Sequence, residues 1–129
     1  MAIYERRYQK VSFEQLKACL RWCQNTLHLR DWEITLYEGQ YDSEKKEGFC
    51  LIENAWQERA SIWVGTNYCK EKNTNPYRTV CHEVIHVLIT GKCRIDTETD
   101  EVIARTFEDM LYEKFCRENK IKIVPFQEN

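Results

Sequence analysis

A chain of 129 residues, 31% charged and 43% hydrophobic, has the size and balance of one soluble globular domain, expected to span residues 1–129. Its net charge of −2 and pI near 6.0 give no electrostatic reason to expect nucleic acid or an anionic membrane surface as a partner. No apolar run reaches membrane-spanning length, and the opening "MAIYERRYQK" lacks the apolar core of a signal peptide, so a cytoplasmic location is expected.

Seven cysteines are scattered along the chain without a CxxC pair, which removes the zinc-ribbon and thioredoxin readings. In a reducing compartment they are expected to be buried thiols. Cys19 and Cys23 lie one helical turn apart among leucines and are expected in the core.

"SFEQLKACLRWCQNTL" predicts the first helix, with Ser12 as N-cap, Gln15 completing a capping box, and Leu16, Cys19, Leu20, Cys23 and Leu27 at helical spacing. "HLRD" turns the chain, with His28 as a turn histidine. "WEITLYE" alternates Trp32, Ile34 and Leu36 against Glu33, Thr35 and Tyr37, a half-buried strand. "GQYDSEKKEG" is expected as a long hairpin loop into a second strand, "FCLIEN". "ASIWVG" is a third strand, expected at an exposed edge open to strand addition by an extended peptide. "TNYCKEKNTNP" reads as loop.

Asn75-Pro76 is an N-cap followed by proline at the first helical position, predicting a helix over 76–90 that ends at Gly91. "CRIDT" leads into a last helix that runs to about Glu118, with Thr97 and Asp100 resembling a capping box. "KIKIVPF" is a short terminal strand whose Pro125 confines it to an edge or an end. The order predicts an α+β domain: an N-terminal helix, a small three- to four-stranded sheet, then two helices.

The chemistry concentrates in "VCHEVIHVLIT". His82 and His86, four apart on a helix, project from one face and can share one Zn²⁺. Glu83 leaves the helix one step round, suited to act on a water as base rather than to ligate. On a helical wheel Val80, Cys81, Val84, Ile85, Val87 and Leu88 gather opposite Thr79, His82, Glu83, His86 and Thr90. A solvent-facing polar strip predicts the same wheel, so the HExxH spacing carries the metal reading. A catalytic zinc needs a third ligand. Cys93, Glu98, Asp100 and Glu101 are the candidates, and Glu101 is preferred. The wheel of "DTETDEVIARTFEDMLYEKF" buries Ala104, Phe107, Leu111 and Phe115, with Asp100 inside that stripe and Glu101 at its side, at the rim of a cleft.

"HEVIH" followed by an acidic "ExxAxxF" helix (Glu101, Ala104, Phe107) resembles the compact glutamate-zincins over roughly residues 12–118. The nearest in layout are phage-type, ImmA/IrrE-like and SprT-like metallopeptidase domains. The resemblance implies a zincin-like fold and one zinc per chain held by His82, His86 and Glu101. It further implies Glu83 as general base, and a peptide or protein substrate. Four residues after Glu101, where thermolysin-like enzymes carry an acid, this chain has Arg105. The alternative is a zincin-fold accessory module that binds a protein, with structural zinc and little turnover. Glu83 argues for hydrolysis, since a purely structural site needs no base.

Overall fold

The computed structural model describes residues 2–92, 97–120 and 123–125, the side chains of 2–4, 92, 97 and 123–125 excepted. It is an α+β arrangement. A short strand β1 (Ala2–Tyr4) precedes helix α1 (Phe13–Thr26) and strands β2 (Glu33–Glu38), β3 (Gly48–Asn54) and β4 (Arg59–Val64). Helices α2 (Thr66–Lys72), α3 (Pro76–Lys92) and α4 (Thr97–Glu118) follow, then β5 (Ile123–Pro125), which pairs antiparallel with β1.

Local signals set most element ends. Ser12 accepts from Gln15 N while the Gln15 side chain accepts from Ser12 N, the complete capping box of α1. Buried Asn75 accepts from Tyr77 N at 3.0 Å and so caps α3. His28 adopts φ 57 in the turn after α1. Helix α3 runs past Gly91 to Lys92. Gly91 is there for close packing: a Cβ on it would lie 2.6 Å from the Trp32 ring. The stretch read as loop after β4 contains α2, which buries Cys69 and stops at Asn73 in the left-handed region.

The sheet differs from expectation in its pairing. Its order is β2-β4-β3, with β2 and β4 parallel and β3 and β4 antiparallel. Residues 39–47 therefore join two strands that do not touch, and no hairpin forms there. "ASIWVG" is the central strand. Its Ala60, Ile62 and Val64 are buried on one face, and Ser61 donates to Glu53 on the other. The edge strands are β2 and β3, and β3 packs along α3.

One sheet face and the helices enclose the core: Leu16, Cys19 and Cys23 of α1, Trp32 and Leu36, Ile62 and Val64, and Val80, Val84 and Val87 of α3. Helix α4 packs on α3 through Ala104, Leu111, Tyr112, Phe115 and Cys116. Phe107, expected in this stripe, is 47% exposed. The interior position it was assigned belongs to Glu108, which is largely buried instead. Residues 5–9 strap the far ends of these two helices. Asn75 Nδ2 donates to Glu5 O and Gln9 Oε1, Tyr112 Oη donates to Glu5 O, and Tyr8 N donates to Asn73 Oδ1.

Candidate metal centre

The polar face of α3 turns inward, not to solvent. Thr79 and Glu83 are buried, and His82 and His86 are only 18% and 15% exposed at the side chain. The face looks into a cleft between β3 and α4. Helical spacing from Asn75 onward places His82 and His86 side by side, and α4 delivers Glu101 across from them.

His82 Nε2 lies 3.1 Å from Glu101 Oε1, and His86 Nε2 lies 3.1 Å from Glu101 Oε2. The two Nε2 atoms are 3.0 Å apart. Carboxylates stand behind the opposite ring nitrogens. His86 Nδ1 is 3.0 Å from Asp100 Oδ1, and Thr90 Oγ1 donates to Asp100 Oδ2 at 2.5 Å. His82 Nδ1 faces Glu108 Oε1 at 3.6 Å, and Arg78 Nη2 lies 3.8 Å from Glu108 Oε2.

This arrangement fits a cation by its chemistry. A neutral imidazole that gives its Nδ1 proton to a carboxylate presents a lone pair at Nε2, and a carboxylate only accepts. In that tautomer two lone pairs and a carboxylate would converge at about 3 Å, an arrangement a cation satisfies. Tetrahedral zinc with bonds of 2.0–2.1 Å sets its ligand atoms about 3.3 Å apart, close to this spacing. Asp100 and Glu108 stand behind the Nδ1 sides of the two histidines, where outer carboxylates orient histidines at metal sites.

The four candidates for third ligand separate clearly. Glu101 reaches both histidines, and Asp100 sits behind His86. Glu98 is exposed, and Cys93 lies outside the described residues. Glu108 is the participant that sequence reasoning missed. Its signal was present: it falls seven residues after Glu101, two turns along the same face of α4. Arg105 ion-pairs with Glu101 at 3.1 Å from the solvent side and does not orient a histidine.

Glu83 stands apart from the triad, against β3. Burial pushes its carboxyl up to about 7, opposed by the charges of His82 and His86 and assisted by those of Glu101 and Glu108. A divalent cation held at the triad would oppose that rise as well. Burial also works against charge on His82, but the nearby carboxylates of Glu108, Glu83 and Glu101 outweigh it and raise its pKa.

Cys19, Cys23 and Cys81 form a second cluster, with Cys23 and Cys81 sulfurs 3.9 Å apart. All three are fully buried, and burial raises Cys19 and Cys81 well above the ordinary thiol range. Hydrogen bonds from Cys19 and Cys81 pull Cys23 the other way, and the complete burial of the three is the setting in which cysteines pack in a core, as the helical spacing of Cys19 and Cys23 predicts.

No protein-family model, curated protein or solved structure matches this chain. Among the described residues no helix is long and apolar enough to cross a membrane.

Proposed function

We propose that the chain is a zinc-dependent metallopeptidase of zincin-like build, with His82, His86 and Glu101 as metal ligands and Glu83 as general base. The observation that carries this reading is the convergence of both Nε2 atoms on one carboxylate, while Asp100 and Glu108 occupy the Nδ1 sides. Zinc held there would supply Lewis acidity, polarising a carbonyl and lowering the pKa of water.

The protein's own groups supply the rest. Glu83, inside the cleft beside the triad, takes the proton from the attacking water and returns it to the leaving amide nitrogen. Gly48 of β3, lying on Glu83 and Thr79, lets the strand backbone close over the base. β3 rather than the β4 segment is the strand at the cleft. Its outer edge is open to an extended peptide adding as a further strand, so that the scissile bond lies over the triad.

The test is cleavage of an unfolded protein by zinc-loaded chain, followed by mass spectrometry. Cleavage abolished both by a zinc chelator and by Glu83→Gln supports the reading. One zinc per chain with no cleavage above the Glu83→Gln control would instead favour a binding module.

A further inference from the structure

The cleft along β3 has two unlike halves, each about 640 Å³, which meet at His82, Glu83 and Glu101. One half lies by the start of α3 and is walled by Glu47, Tyr68, Asn75, Arg78 and Glu108. The other lies toward Thr90 and has Cys50 and Ile52 as its floor. Gly48 borders both halves and Ile52 only the second, so β3 runs from the polar half to the apolar one.

The polar groups of the second half are already engaged. Thr90 donates to Asp100, and Asp100 takes the Nδ1 side of His86. A side chain lodged there meets the inward residues of β3, Cys50 and Ile52, which pack against the core. A charged side chain in that position would lose water, and Lys46, which borders both halves, is already paired with Glu44. The first half is lined by charged groups, Glu47, Arg78 and Glu108; Arg78 and Glu108 are paired, yet the buried Nε of Arg78 still has no hydrogen-bond partner.

Strand direction turns this asymmetry into a sequence preference. An added strand pairs more stably antiparallel than parallel. A peptide lying antiparallel to β3 enters over Ile52 and leaves over Gly48 and Arg78. Its amino side therefore occupies the apolar half and its carboxyl side the polar half. We propose, resting on the peptidase reading above, that the substrates carry an apolar side chain of Val to Leu size at one of the two positions before the scissile bond. Polar residues follow the bond. Cys50 and Ile52 are the residues that set this specificity.

The experiment is digestion of a proteome-derived peptide library by the zinc-loaded chain, with Glu83→Gln as control and new termini read by mass spectrometry. Apolar residues at one of the two positions before the cut should exceed charged ones about 10-fold or more. Ile52→Ala should move the preference to larger side chains such as Phe, and Ile52→Arg should replace it with acidic residues. Zinc content and circular dichroism establish that each variant is folded, and the milder Ile52→Ala carries the test if Ile52→Arg does not fold. Cleavage without bias before the bond, apolar bias after it, or an unchanged bias in a folded Ile52 variant overturns the proposal. Absence of any cut specific to the wild type sinks the peptidase reading itself, and this specificity with it.

Discussion

Gly48 on the edge strand β3 packs against Glu83 on α3. A Cβ at residue 48 would lie 2.8 Å from Glu83 Oε2 and 2.5 Å from Thr79 Cγ2. The expected base is therefore held against a backbone that has no room for a side chain. Gly48→Ala should push β3 off α3 and turn Glu83 away from the triad. Because the ligands are untouched, zinc content should stay near one per chain while the cleavage rate falls about 100-fold, the cost of an ångström-scale misplacement. Equal rates for variant and wild type would remove Gly48 from the account.

The carboxylates around the histidines should rank by position. Glu101→Ala should remove most of the zinc affinity, as should replacing both His82 and His86 with alanine. Asp100→Asn and Glu108→Gln, which act through the Nδ1 sides, should weaken affinity by about 10- to 100-fold. Glu98→Ala should change nothing. Competition against a chromophoric chelator measures all of these, and a larger loss in Asp100→Asn than in Glu101→Ala would exchange the two roles.

Glu83→Gln preserves size and hydrogen bonding but cannot accept a proton. The variant should bind zinc and fold as the wild type does, while peptide hydrolysis falls by about 10²–10⁴-fold. Undiminished hydrolysis would end the general-base assignment.

Gly91 tests packing away from the chemistry. Its methyl would enter the Trp32 ring, so Gly91→Ala should lower stability by about 1–3 kcal/mol, the usual range for overpacking. Urea denaturation of the zinc-free chain measures this without the metal's contribution. A stabilised variant would mean that Trp32 moves freely.

What was legible in the sequence was what depends on neighbours in the chain. The Ser12–Gln15 box, the Asn75 cap and the shared face of His82 and His86 are all set within four residues. Glu101 was preferred by wheel position, and its side chain does meet both histidines. The wheel failed at Phe107 because it ranks positions by hydrophobicity, and a cleft wall draws a carboxylate inward when a histidine waits there. Strand order was hidden for a different reason. Consecutive strands usually pair, and nothing local to residues 39–47 tells that β4 will insert between β2 and β3. Helix α2 escaped because its N-cap, Gly65, makes no side-chain hydrogen bond and the helix is only seven residues long.

The strap of residues 5–9 ties the start of α3 to Tyr112 of α4, at the end of the helix pair away from Thr90 and Asp100. At that other end the two helices lie only four residues apart in the chain and are tied by the Thr90–Asp100 hydrogen bond, so the strap closes the end that would otherwise splay, and the gap between His82 and Glu101 behaves like the jaw of a clamp whose screw is Asn75. Amino-terminal residues more than 70 positions distant in the chain thereby share control of how tightly the jaw closes on an ion. Deleting residues 1–9 should loosen zinc without altering a single ligand, and an affinity tag fused close to Glu5 is a poor choice wherever metal occupancy is to be measured.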